Sequence, residues 1–287
     1  MITIADTSYS APLNDLPEIV VGPSRGWMDL NLGDLWRYRE LLYFLTWRDI
    51  KVRYKQTALG AAWAVLQPLL TMLVFSVIFG ALAGLPSDGA PYPVFTYTAL
   101  VPWQLFAFAL NQSSTSLVTD QNLITKIYFP RLIIPMASVM AGLADFGIAF
   151  VVLLGMLLVY QIPLTLRLLV LPPLILLALV TALAIGLWLS AMNVKYRDVR
   201  YTLPFLTQLW LYATPIAYSS SLIPEHWRWL YCLNPMTGVV EGFRWAMLGK
   251  ASPVGSSIFV SAGVVVLLFL GGLIYFKRIE GSFADVI

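Results

Sequence analysis

Apolar residues run along this chain in long unbroken stretches. Four stretches carry no charged residue: Gln56 to Ser87 (32 residues), Gly89 to Thr119 (31), Leu168 to Val194 (27) and Ala251 to Phe276 (26). A helix needs about 20 mostly apolar residues to cross the hydrocarbon of a bilayer, so each stretch holds one span with its ends. Leu132 to Leu166, interrupted only by Asp145, and Tyr201 to Pro224 complete the set. The predicted spans lie near 61–84, 99–118, 133–160, 169–192, 203–221 and 256–276, which makes the fold class an all-α integral membrane protein with six transmembrane helices. The second contains a polar run, Asn111 to Ser116. Amides and hydroxyls are tolerated there where helices pack together or line water.

Two segments follow a different pattern. In Leu32 to Gln56, Leu35, Tyr38, Leu42 and Leu45 recur at three- and four-residue steps, and Arg48, Lys51 and Lys55 form a basic stripe. This reads as an amphipathic helix (31–58) along the cytoplasmic leaflet, with Trp36, Tyr43 and Trp47 near the headgroups. It either anchors the chain or packs beside the spans and shapes an opening. Residues 223–250 break at Asn234-Pro235 into pieces of 10 and 13 residues (Pro224 to Leu233, Met236 to Leu248), each too short to cross. They predict a re-entrant hairpin of two short helices in the outer leaflet, with Trp227, Trp229, Tyr231 and Trp245 at the interface and Pro235 at the turn. A plain aromatic belt is the alternative. The expected organisation is a cytoplasmic tail (1–30), the interfacial helix and a six-span domain (59–287).

Composition narrows the function classes. The chain is 59% hydrophobic and 11% charged, against about 25% charged in a soluble domain. Cys232 and His226 are the only cysteine and histidine, which excludes intrachain disulfides, multi-cysteine zinc sites, iron–sulfur clusters and His-pair metal sites. The net charge of +3 gives no reason to expect a nucleic-acid partner. Met1 to Pro23 has no sustained apolar core, so the first span is expected to direct insertion. Fourteen of the 18 Lys and Arg residues fall on one face of the six-span arrangement, against Arg167, Arg228, Arg244 and Lys250 on the other. The positive-inside rule then places both termini in the cytoplasm.

Three blocks resemble a known family. Arg48 to Met72 (RDIKVRYKQTALGAAWAVLQPLLTM), Asn122 to Arg131 (NLITKIYFPR) and Phe283 to Ile287 (FADVI) resemble the membrane subunits of type-two ABC exporters for polysaccharides, the O-antigen, capsule and teichoic-acid transporters. The resemblance covers about residues 32 to 287. It implies a homodimer that forms a channel in the bacterial inner membrane, binds two copies of a separate ABC ATPase and exports a lipid-linked glycan, with the O-antigen type favoured. The chain has no G-x-x-x-x-G-K-[ST] loop; its nearest Gly-Lys, Gly249-Lys250, precedes Ala251 and lacks the earlier glycine, Arg244 standing there. No cofactor is expected on this chain, and ATP with Mg belongs to the partner ATPase.

The resemblance suggests roles for particular residues. Asp120, Asn122, Ile124, Lys126, Ile127, Tyr128, Phe129 and Arg131 lie in a short loop expected to receive the ATPase stroke, Asp120 capping a short helix that Pro130 ends; a tight interspan turn is the alternative. Lys195 and Arg197 belong either to a second contact or to a solvated charge run. Trp63, Phe75, Phe79, Trp103, Phe106, Phe108, Trp210 and Tyr212 are candidates for a glycan track, aromatic rings suiting the apolar faces of sugars; packing or lipid contact would use the same residues. Arg48, Lys51, Arg53 and Lys55 could attract the pyrophosphate of a polyprenyl carrier, as they could ordinary anionic lipids.

Asp145 is the one charged residue deep in a predicted span. With no second intramembrane charge in sight, structural hydrogen bonding is favoured over proton relay. The same absence, with no inverted repeat evident, weighs against an ion-coupled secondary transporter. A membrane glycosyl- or acyltransferase would need a polar catalytic cluster. Glu225, His226 and Glu241 are the nearest approach and lie in the interfacial segment.

Overall fold

Without water at membrane depth a backbone must satisfy itself, and the apolar stretches do so as helices. The computed structural model describes residues 32–55, 60–249, 255–281 and 283. The expected tail 1–30, the end of the interfacial helix at 56–58 and the last four residues of FADVI lie outside the described residues. The helices are α1 (Leu32–Arg37), α2 (Arg39–Lys55), α3 (Gly60–Phe75), α4 (Tyr92–Thr119), α5 (Gln121–Lys126), α6 (Ile133–Val159), α7 (Leu171–Lys195), α8 (Val199–Ala213), α9 (Glu225–Cys232), α10 (Pro235–Leu248) and α11 (Gly255–Glu280). A π-helix, Ser76–Leu82, continues α3. Among the described residues five segments are long and apolar enough to cross a membrane: Ala62–Leu82, Tyr92–Thr119, Ile133–Val159, Leu166–Lys195 and Ile258–Glu280.

The central helix is α4, which packs on α7, α6, α10 and α3. It starts seven residues before the expected position, with Pro93 in its first turn, where a missing N–H leaves no bond unmade. Its polar run faces helix seams, as the tolerance for hydroxyls between packed helices requires. Ser113, Ser114 and Ser116 are buried, their hydroxyls donate to carbonyls three residues back, and Asn193 Nδ2 of α7 donates to the Ser114 carbonyl at 3.1 Å.

The fifth predicted span needs correction. Its helix, α8, has 15 residues and stops at Ala213. Pro215 is the cause: a proline disfavours helical backbone at the residue before it, and Thr214 is extended at ψ 140°. The carbonyls freed beyond the break are met by side chains. Arg244 of α10 donates from Nη2 to Ile216 O (2.6 Å), from Nη1 to Tyr218 O (3.3 Å) and from Nε to Phe95 O (3.4 Å), and its guanidinium lies 3.6 Å from the Phe95 ring centroid. The Tyr92 hydroxyl donates to Ala217 O. Asn234 caps α10 through Met236 N (3.1 Å), accepts from Trp210 Nε1 (2.9 Å) and donates to Thr214 Oγ1 (3.0 Å). Arg244, one of the four basic residues counted on the outer face, is therefore 3% exposed.

The break at Asn234-Pro235 falls where the sequence places it, Pro235 opening α10. The two helices behave differently, however. Trp227 and Trp229 of α9 are exposed, and Tyr231 hydrogen-bonds Tyr218 through their hydroxyls at 2.9 Å. By contrast α10 is buried along nearly its whole length against α4, α11 and α7. Trp245 is half-buried and packs against the main core, with the Arg167 guanidinium 5.2 Å from its ring.

A second apolar core gathers Leu45 (α2), Leu117 (α4), Ile124 (α5), Phe129, Leu132, Val194 (α7), Leu273 and Phe276 (α11), and Phe283. The ends of α4, α7 and α11 thus meet α2 and α5 at one end of the bundle. Leaving a buried acceptor unpaired costs about 1–3 kcal/mol, so Arg244→Met is expected to destabilise the protein by about 3 kcal/mol or more. Thermal unfolding in detergent measures this, with Arg244→Lys recovering only part because one ammonium cannot span three carbonyls; an unchanged midpoint would contradict it.

Candidate functional site

Arg48, Asp49 and Asp120 at the α5 end are held together in ion pairs. Asp120 joins α4 to α5, and its carboxylate makes no cap hydrogen bond to α5, contrary to the sequence expectation. It accepts instead from Arg48 Nη2 of α2 at 2.8 Å. The same guanidinium donates to Asp49 through Nε (3.0 Å) and Nη2 (2.8 Å). Burial raises the Asp49 carboxyl above its ordinary pKa, with Arg48 pulling the other way.

One and a half turns further along α2, Arg53 reaches into α6. Its Nη2 lies 2.6 Å from Asp145 Oδ2, the Tyr54 hydroxyl donates to Asp145 Oδ1, and the Arg53 guanidinium sits 4.2 Å from the Phe108 ring centroid. Burial, then the bond to Asp145, pushes the Tyr54 phenol up to about 12. Asp145 therefore has charged company, supplied by a helix outside the predicted spans. A groove of about 490 Å³ runs between α2, α4 and α6, lined among others by Arg48, Arg53, Tyr54, Phe108, Gln112 and Asp120.

The four basic residues expected to form one headgroup patch are split. Arg48 and Arg53 reach inward to carboxylates, whereas Lys51 and Lys55 line a shallow pocket of about 440 Å³ with Phe44, Trp47, Val52 and the flank of Arg48. Trp36, Tyr43 and Trp47 are exposed, and Leu45 is buried at 2%, so α2 has an inner face on the bundle and an aromatic outer face.

The segment 120–131 divides in the same way. Ile124 and Phe129 are buried in the second core and cannot dock in a partner's groove, a correction for both. Ile127 (57% exposed) and Tyr128 (73%) project outward beside exposed Asn122 and Lys126. Arg131 is bound within the chain: its guanidinium donates to the Glu280 carbonyl, its backbone N–H to Glu280 Oε1 at 3.3 Å, and the Phe283 ring lies 5.8 Å from it. Lys195 stacks on Tyr196, and Arg197 is exposed.

The aromatic set separates by burial. Trp103 (2%) and Phe106 (0%) are core residues that meet Trp210 ring to ring at 6.4 and 5.0 Å, and Phe75 is buried between Phe79 and Tyr212. Side chains without accessible surface cannot present a ring to a passing sugar, so these three are corrected to packing roles. Trp63 and Tyr212 are exposed, while Phe79, Phe108 and Trp210 are half-buried.

Sequence reasoning missed the Arg53–Asp145 pair and the Arg48–Asp120 pair. A lone carboxylate in a span beside a strongly basic preceding helix was the available signal. It missed Arg244 as well, where the clue was Thr214-Pro215 inside a predicted span.

The long apolar helices and a polar, aromatic-fringed end define a multi-pass membrane protein. The ABC-2 type transporter family matches residues 40–248, and the chain belongs to that family, the broad class its sequence blocks resemble. It is 31% identical over 262 residues to an O-antigen export system permease protein, RfbA, of Klebsiella pneumoniae, covering 91% of this chain and 98% of that one. A Myxococcus xanthus protein of the same description is 29% identical over 257 residues, 88% and 98% of the two chains. The polysialic acid transport protein KpsM of Escherichia coli is 27% identical over 247 residues, 81% and 91%.

Arg53 is more than a third exposed, so screening holds its pair with Asp145 to about 1 kcal/mol. Arg53→Gln and Asp145→Asn should each raise hydrogen exchange across 39–55 about five-fold, and the double variant little further. Full additivity would contradict the pairing.

Proposed function

We propose that this chain is the channel-forming permease subunit of an ATP-driven exporter that moves a lipid-linked polysaccharide, of O-antigen type, across the bacterial inner membrane. The observation that carries the reading is similarity over 98% of an O-antigen export permease, in a chain without a phosphate-binding loop of its own. A capsule-type substrate is the second reading, favoured by the KpsM relative at lower identity and coverage.

The working unit is a homodimer with two ATPase copies, which bind ATP and Mg; this chain binds no cofactor directly. Two apolar stripes support the pairing of copies: Trp63, Leu66, Leu70, Leu73 and Val77 on α3 and its π-helical continuation, and Tyr201, Phe205, Leu209 and Tyr212 on α8, all exposed in the single chain and spaced three or four apart. Trp63 and Tyr212 on these stripes are the rings available to a glycan. Ile127, Tyr128 and Lys126 meet the ATPase, and Lys51 and Lys55 remain for lipid headgroups.

Parity supports a sixth crossing. Both α7 and α11 finish in the second core, and α11 must return there from the opposite end, so the chain makes one net passage between the end of α7 and the start of α11. Helix α8 covers about 22 Å of a hydrocarbon core of about 30 Å, and the turns and bends of 214–219 carry the chain on from its end. Six crossings put both termini on one side, and the positive-inside count makes that side the cytoplasm. The α9–α10 hairpin then lies at the outer end.

The complex reconstituted with its ATPase should hydrolyse ATP faster when the lipid-linked glycan is supplied. Trp63→Ala should lower glycan export while leaving assembly intact, whereas Trp103→Ala should cost about 3–5 kcal/mol of stability. Export unchanged in Trp63→Ala would remove that ring from the pathway, and hydrolysis indifferent to glycan would remove the function.

A further inference from the structure

Helix α2 is tied to the bundle by ionic contacts at two heights. Near its C-terminal end Arg53 and Tyr54 hold Asp145 of α6. Five residues earlier Arg48 holds Asp120 at the joint between α4 and α5. The first partner stands mid-helix in α6. The second stands on the turn that leads into the outward-facing Ile127 and Tyr128. A push on α5 therefore reaches Asp120 before it reaches Asp145.

From this geometry we propose that α2 is a lever, with the Arg53–Tyr54–Asp145 cluster as its pivot and the Arg48–Asp120 pair as the point where force enters. The proposal rests on the reading that residues 120–131 receive the ATPase. A helix rises 1.5 Å per residue, so the pivot and the drive point are about 7.5 Å apart and the Arg39 end is about 21 Å from the pivot. Displacing Asp120 by about 1 Å then swings the far end of α2 by about 3 Å, a roughly three-fold gain.

Packed surfaces pass such shifts as discrete movements of rigid elements. Leu45 and Ile124 share one apolar core, so the same motion is guided by packing on both sides of the ion pair. The opposite end of the 120–131 segment is fixed to α11 through Arg131 and Glu280, which leaves the Asp120 joint as the side that yields. Arg48 is in this account a positioning residue, and its two carboxylate partners explain why the basic stripe of α2 is broken. The groove between α2, α4 and α6 widens or narrows as the lever turns.

The test is hydrogen–deuterium exchange over residues 39–55 in the reconstituted complex with its ATPase, comparing the ATP-free state with the vanadate-trapped state. In the natural protein the two states should differ. Arg48→Gln and Asp120→Asn should shrink that difference about three-fold. Exchanging the charges by combining R48D with D120R should restore it, because the guanidinium brought in on the α4–α5 joint then faces the carboxylate brought in on α2 and that of Asp49. A pair that only stabilises the fold would raise exchange equally in both states and leave the difference intact, which would overturn the lever. Tyr128→Ala separates the underlying reading. If it abolishes the difference while Arg48→Gln does not, the lever is wrong and the docking element stands; if neither variant changes it, both are wrong.

Discussion

A charge carried into an apolar bundle must find its partner inside the bundle, and that constraint organises this protein. The buried Arg244 has no ion pair within contact distance among the described residues; it is held by three backbone carbonyls and one aromatic face. Those carbonyls come from the N-terminal part of α4 and from the broken stretch after α8, so one side chain closes the defect that Pro215 opens and fixes α10 beside α4. Without such a donor, a non-helical stretch at this depth would not survive. At the other end Asp145 and Asp120 impose the reverse demand, and α2 answers both with Arg53 and Arg48. An amphipathic helix that could have floated on the leaflet is thereby made part of the bundle.

The two ends are consequently built for different tasks. The end that holds the helix break is knotted by hydrogen bonds from Arg244, Tyr92 and Asn234. Partly exposed ion pairs hold the α5 end, and these can rearrange at a cost of about 1 kcal/mol each. Beside them project Ile127 and Tyr128, the kind of apolar tip that fits a groove in another protein. Energy delivered there meets the more pliable end first.

Much of the fold is legible in the sequence because apolar length is a direct readout of bilayer thickness. The spans beginning near 61, 133, 169 and 256 correspond to helices with modest shifts at their ends, and the segment between α8 and α11 breaks into two short helices at Asn234-Pro235, where the sequence places the break. Span five is overextended in the sequence reading because hydropathy registers Pro215 weakly, although its effect on Thr214 is local and strong. The pairs are illegible for another reason: Arg53 and Asp145 are far apart in the chain, and only tertiary packing brings them to 2.6 Å. Burial is equally hidden. Trp63 and Trp103 look alike as residues in apolar runs, yet one is half-exposed and the other is core, because α4 is central and α3 is peripheral.

The central claim is that a separate ATPase delivers its stroke to the α5 end of a six-crossing permease. Site-specific photocrosslinking in the assembled complex tests it most directly, with the reactive group placed at position 128, beyond α5, or at position 160, just past the far end of α6. The account predicts a crosslink to the ATPase from position 128 and none from position 160. A crosslink from position 160, or none from position 128 in a complex that hydrolyses ATP, would contradict it.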